Sequence, residues 1–320
     1  MKSFINNVRI AGTLVKHTLE ETTYTKNGDD VECIRGEVIV RTADGGEHEV
    51  KYFANKYKKD ANGQFTSEES KIYKSLQTVM AEYKTLENCP DDPDYVAIKS
   101  ASFGVNDYIS SNTNELVTIN TVSSNFIERV ITKEKIEATP ATATFEVEGV
   151  IASIADEIIK NEPTGNLVVT MNVITQKRIG TGKDAKYEVN DIFPLKLIVA
   201  SDLAEAFRTS FGEGSFAKLS GVLVNKTETV TTTEKQVFGD DLVKTFTNTI
   251  RRNEITSGSA PQSIYEVDLT DDICSQLISK RNAKIAEIKN GNKSSGTTSA
   301  ASSTSSRSTN PFAKKNPFAK

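Results

Sequence analysis

The chain has 320 residues, 37% of them hydrophobic and 26% charged, with a formal net charge of −4, three cysteines and two histidines. That length allows two ordinary domains and a tail, and no apolar run of membrane-spanning length or secretion leader is visible, so a cytoplasmic protein without a membrane partner is expected. Cys33, Cys89 and Cys274 are odd in number, with only His17 and His48 to join them, which argues against a disulfide framework, a zinc site or any other metal or cofactor. Both histidines read as surface residues at strand ends. From Gly291 to Lys320 there are five cations (Lys293, Arg307, Lys314, Lys315, Lys320) and no acid, so with a net charge of −4 overall, residues 1–290 hold −9. An acidic body cannot hold a polyanion through bulk charge; a locally basic groove would be needed.

In chain order, Asn7–Lys16 reads as a strand with Val8, Ile10 and Leu14 on one face and Gly12 in phase, a glycine that marks a tight bend. Thr18–Asp30 is polar and is expected to be a flexible loop bearing Lys16, Tyr24 and Lys26 near it. Glu32–Tyr57 is a strong hairpin signal: two alternating runs separated by Ala43-Asp44-Gly45-Gly46. One face carries Ile34, Val38, Val40, Val50, Tyr52 and Ala54. Because successive strand side chains point to opposite sides, Arg35, Ile39, Arg41, Lys51 and Phe53 share the other. Cations beside a phenyl ring suit a strand of bases, whose phosphates are neutralised while a ring offers a stacking platform. The alternative is that Phe53 covers a second small core and the arginines are merely solvated.

Lys56–Gln64 is basic and turn-rich, and the spacing of Ile72, Leu76, Val79, Met80 and Tyr83 predicts a helix over Ser67–Leu86. Tyr95–Phe103 returns as a strand, Gly104–Asn114 is a connection holding Tyr108, and Glu115–Thr132 supplies the last strand. Three strands, a helix and two strands is the order of the oligonucleotide/oligosaccharide-binding (OB) barrel, which receives single-stranded nucleic acid on strands two and three.

The order repeats after a linker, Lys133–Thr142. Thr144–Asp156 has Gly149 in the place of Gly12, and Gly165–Lys177 and Tyr187–Ala200 follow, joined by the basic turn Lys177–Lys183. A short helix runs from Ser201 through Phe211, then strands over Ser215–Lys226 and Asp241–Ile255, with Thr227–Glu234 as a loop. The expected fold is therefore mainly β with α insertions: a first OB-type barrel over 1–132, a linker over 133–142, a second barrel over 143–270, a C-terminal helix over 271–290 and a disordered tail over 291–320. Gln262–Leu269 reads as an added strand, and the helix turns Ile273, Leu277, Ala283 and Ile288 inward.

The tail is Ser/Thr-rich and ends in a duplicated Asn-Pro-Phe-Ala-Lys. Pro311, Phe312, Pro317 and Phe318 read as a two-copy peptide ligand for a partner, or else as an accidental repeat in a solubilising tail. No P-loop, no H-E-x-x-H and no plausible nucleophile triad is present; Gly180-Thr181-Gly182-Lys183 lacks the spacing of a phosphate cradle, and Asp91, Asp92 and Asp94 read as a solvated turn.

The opening N-x-V-x-I-x-G at Asn6–Gly12, the paired barrel order and S-x-N-F-I-x-R at Ser123–Arg129 resemble bacteriophage-type single-stranded DNA-binding proteins with tandem OB folds. The resemblance implies a non-enzymatic protector of single-stranded DNA in replication, recombination and repair, whose tail recruits replication or repair proteins. Bacterial members of the wider class have acidic tails ending in Pro-Phe; here Ala319-Lys320 follow Pro317-Phe318 and the tail is basic. The expected DNA contacts are Lys16, Arg35, Arg41, Lys51, Lys56 and Lys58 with Phe53, Tyr57 and Tyr108 in the first barrel, and Lys177, Arg178, Lys186, Lys196 and Arg251 in the second. Rival readings are a virion or other assembly component, and an accessory subunit of a replication enzyme.

Overall fold

The structure is a computed structural model that describes residues 3–291 apart from 27, 61–62, 181–185, 235–237 and 239–241. The first half comprises β1 (Asn6–His17), β2 (Glu20–Lys26), β3 (Asp29–Arg41), β4 (Glu47–Asn55), β5 (Tyr57–Lys59), β6 (Phe65–Glu69), α1 (Lys71–Glu82), β7 (Tyr95–Ile109), β8 (Leu116–Ser123) and β9 (Glu128–Arg129). The second comprises α2 (Lys133–Glu137), β10 (Ala143–Ile159), β11 (Glu162–Ile179), β12 (Lys186–Val199), α3 (Ser201–Ser210), β13 (Phe216–Glu234), β14 (Leu242–Gly258) and α4 (Asp271–Lys289).

Hydrogen bonding closes each half on itself. β1 pairs with β3, β3 with β4, β4 runs parallel to β8 at Lys51 and Ser123, β8 pairs with β7, and β7 returns to β1. In the second half the same circuit runs β10–β11–β12, then parallel to β14 at Ile198 and Glu254, then β13 and back to β10. Strand order 1-2-3-5-4-1 is the Greek-key barrel expected from the element order. Alternation decides which side of each strand faces in: Val38, Val40, Val50 and Tyr52 are buried, while their neighbours are not. Leu76 and Val79 of α1 plug one barrel, and Phe207 of α3 packs against the same continuous core.

Gly12 and Gly149 have the same task. A Cβ at Gly12 would lie 2.1 Å from the Arg41 carbonyl oxygen, and one at Gly149 would lie 2.5 Å from that of Asn172, so both let strand one press against strand two.

The barrels share an edge. β1 and β10 pair antiparallel, from Asn6 opposite Val147 to Ile10 opposite Ala143. With Gly12 and Gly149 equated, Val8 meets its own counterpart, Phe145. Further contacts are reciprocal: the Asn120 amide of β8 donates to the Pro194 carbonyl of β12 (2.8 Å), and the Asn225 amide of β13 donates to the Glu47 carbonyl of β4. Each barrel's strand-four/strand-five hairpin thus leans on the other's third strand.

Several local expectations fail for identifiable reasons. Thr18–Asp30 is not a loop, because β2 pairs residue for residue with β3. Within Lys56–Gln64, β5 forms a two-stranded sheet with β6, which takes residues expected at the helix start, so α1 begins only after Ser70. The connection after Gly104 stays extended to Ile109, and Thr227–Glu234 pairs with Leu242–Thr249 as a long arm. The linker holds α2, capped by the Thr132 hydroxyl, which accepts from the Lys135 amide. Gln262–Leu269 makes one bridge, Gln262 to Phe216, then a 3-10 turn over Ile264–Val267 closed by a Ser263/Glu266 capping box. On α4 Leu277 is buried but Ala283 is exposed. His48 is not a surface residue: it is 4% exposed beneath the Thr42–Gly46 turn, and burial pulls its imidazole below the usual range.

Candidate nucleic-acid interface

The outward side of β3 and β4 is a ladder of cross-strand neighbours: Arg35 beside Phe53, Glu37 beside Lys51, Ile39 beside Glu49 and Arg41 beside Glu47. Phe53 is 37% exposed, so its ring does not cover a second core. Tyr24 of β2 brings a second ring to it, with centroids 5.8 Å apart and planes at 58°, held by its hydroxyl donating to Asn55 Oδ1 at 2.9 Å. Tyr57 is equally exposed, with Lys56 Nζ 5.6 Å from its centroid. Phe53, Tyr24 and Tyr57 therefore sit at one end of the hairpin. Tyr108 is exposed but pairs with Val117 on β8, whose Ser123 end is the part beside β4, so the register puts it at the opposite end of the ladder.

The expected cations are on this surface, but it is not a basic groove. Each of the six first-barrel cations has a carboxylate partner: Lys16 with Glu87 (3.5 Å), Arg35 with Glu20 (3.5 Å), Arg41 with Glu47 (2.5 Å), Lys51 with Glu37 (3.4 Å), Lys56 with Glu32 (2.6 Å) and Lys58 with Glu68. Exposed pairs of this kind are worth about 0–1 kcal/mol each, so a phosphate can displace a carboxylate at little cost. The displaced acids stay nearby and oppose the incoming charge. Burial, and then the charge of Glu37, hold the Glu49 carboxyl above the usual range.

Arg251 serves the first barrel's surface rather than a separate one. A cleft of about 520 Å³ is walled by Ile39, Arg41 and Glu49 on one side and by Thr227, Thr249 and Arg251 of the β13–β14 arm on the other. Lys226 of the arm pairs with Asp44 at 3.7 Å, fixing its base. Lys196 is exposed at the junction of the barrels, where its amide donates to Asn120 Oδ1 (3.3 Å) and its carbonyl accepts from Asn253 (3.1 Å). Lys177 and Lys186 are exposed on the β11–β12 hairpin, and no contact among the described residues joins them to the ring cluster. Arg178 lies on β11 and its side chain is outside the described residues, as are Pro311, Phe312, Pro317 and Phe318 altogether.

Sequence reasoning passed over Tyr24 and Asn55 as site residues. The signal was the alternation in Glu20–Lys26, where Thr22, Tyr24 and Lys26 are the half-covered positions. Among the described residues no group of three or more His, Cys, Asp or Glu could hold a metal, and no helix is long and apolar enough to cross a membrane.

Two closed OB-type barrels, one with an exposed cluster of rings set among ion-paired cations, define the class. The chain belongs to the YorF family, whose model matches residues 5–291. It is similar to the solved structure of the wild-type single-stranded DNA binding protein from Thermus aquaticus, at 11% identity over 82% of this chain and 95% of that one, with a TM-score of 0.43. It is also similar to a replication protein A heterotrimer bound to single-stranded DNA, at 11% identity over 89% of this chain and 54% of that one, with a TM-score of 0.22. No curated protein matches the sequence. Likenesses this loose add nothing to the strand order described above.

Proposed function

We propose that this protein binds single-stranded DNA and catalyses no reaction on it. The observation that carries the reading is the exposed Phe53 ring, with the half-covered Tyr24 ring against it, beside Arg35 on the open side of the first barrel. Unpaired bases have free faces to lay on such rings, and each stacked base is worth about 1–3 kcal/mol. A duplex hides those faces. Phosphates then exchange with Glu20, Glu37 and Glu47 for Arg35, Lys51 and Arg41, and the strand continues into the cleft beneath Arg251. In the same reading the protein acts in replication, recombination and repair of a phage or bacterial genome in the host cytoplasm, and Pro311-Phe312 and Pro317-Phe318 recruit other replication or repair proteins.

The test is a fluorescence titration of the full chain with oligo-dT, its RNA counterpart and a duplex of equal length at two salt concentrations. Preference for single strands and weakening with salt are expected. Equal affinity for duplex would overturn the proposal. An assembly role draws on Phe126 and Ile131, 56% and 76% exposed, and predicts that the titration stays flat.

A further inference from the structure

Two lysines of the first barrel lack what the six cations above possess. Lys26 closes β2 and Lys59 closes β5, and both ammonium groups stand over one ring, Phe65 at the start of β6, at 5.8 and 5.0 Å from its centroid. Among the described residues no carboxylate forms an ion pair with either. Of the nearby acids, Asp30 accepts from the Thr25 hydroxyl at 3.1 Å and Asp60 from the Gln64 amide at 2.9 Å, while Asp29 faces Lys26 across the β2–β3 ladder without forming an ion pair with it. Partial burial, and then the Lys26 charge, hold the Lys59 ammonium below the usual lysine range. The attraction of a half-covered ring for a cation is of the same order as the repulsion between two neighbouring ammonium groups near a protein surface. The ring alone therefore does not account for holding both.

Strand alternation supplies the second observation. Tyr24 and Lys26 are two apart on β2, which pairs with β3 without a break in register, so that ring and that lysine project from the same side; Tyr57 and Lys59 are the two exposed ends of β5, on either side of a break in its register with β6. On β2 the ring available for a base is thus followed by a cation placed for the phosphate next to it.

We propose that Lys26, Lys59 and Phe65 form an anion subsite that takes a backbone phosphate of the bound single strand as it leaves the Phe53–Tyr24 rings. The subsite rests on the single-strand reading and adds residues on an inserted hairpin to it. Its ligand chemistry is a phosphodiester; free inorganic phosphate shares the charge but not the adjacent base.

The experiment compares the full-length wild type with a Lys26→Ala/Lys59→Ala double variant in oligo-dT titrations across a salt series. Matched thermal melts verify the fold, and Lys99→Ala is the control, an exposed cation paired with Glu128 away from the rings. Each phosphate contact on a single strand contributes about 0.7 to the slope of log affinity against log salt, so losing the one phosphate of the subsite should make the double variant shallower by about 0.7. Lys26→Arg/Lys59→Arg should restore the slope, Lys99→Ala should leave it unchanged, and inorganic phosphate should compete only weakly. A double variant that tracks a wild type which does bind overturns the subsite and leaves the single-strand reading standing, as does an equal change in Lys99→Ala. A wild type that ignores oligo-dT overturns both.

Discussion

Arg281 of α4 donates to Asp107 of β7 at 2.9 Å, with side chains only 13% and 11% exposed, and this pair ties the C-terminal helix of one half to the barrel of the other. The same carboxylate accepts from the Thr118 hydroxyl at 2.7 Å, and two exposed helix neighbours, Lys280 and Lys284, reach Asn190 and Asp191 of β12. Removing one member of a buried pair strands the other charge, and this costs more than losing an exposed pair. Arg281→Ala should lower unfolding free energy by about 2–3 kcal/mol. Lys284→Ala should cost about 0–1 kcal/mol, and chemical denaturation of both variants checks the contrast.

Phe53→Ala should weaken single-strand binding about tenfold, in the lower part of the range of about 1–3 kcal/mol for one lost stacking platform, with the melting temperature little changed because the ring is partly exposed. Tyr24→Ala should act in the same direction, since its ring stands against Phe53. An unaltered affinity in both would remove the pair from the site.

The carboxylates that partner the cations should restrain binding. Glu37→Gln leaves Lys51 only its longer 3.9 Å pair with Glu49 and removes a negative charge from the middle of the ladder, so affinity should rise by up to about fivefold at low salt, the equivalent of about 1 kcal/mol. The salt dependence should steepen as well. A weaker complex would mean that phosphates do not meet Lys51.

His48 predicts how stability depends on pH. Its folded-state pKa is depressed by burial, so between that value and the unfolded value of about 6.5 the unfolded chain binds the extra proton. Stability from this group is complete above about pH 6.5 and is lost as pH falls below it. Denaturation midpoints at neutral and mildly acid pH should therefore diverge more in the wild type than in His48→Gln.

How far the sequence anticipated this molecule depends on the range of the interactions. Period-two alternation found the β3–β4 faces, and the i, i+3, i+4 spacing of Leu76, Val79 and Met80 found α1, because both signals are local. Gly12 and Gly149 marked the corresponding bends because a close backbone approach admits only glycine. Tyr24 was missed because its place depends on β2 pairing with β3, and Arg251 was assigned to its own barrel because the arm reaches the first barrel only through contacts between halves. Glu37 and Glu47 were legible: they lie on the same strand faces as Arg35, Arg41 and Lys51, and attention to the cations alone made the surface look basic when it is balanced.

The shared edge of β1 and β10 has a consequence for ancestry. A strand that meets its own equivalent, with Asn6 facing Val147 and Ile10 facing Ala143, is the self-complementary geometry that two copies of one subunit adopt around a dyad. Joining such copies in one polypeptide frees each from having to match the other. One barrel can present Phe53 and Tyr24 without its partner having to carry the same rings, while the mutual bracing through Asn120 and Asn225 is kept.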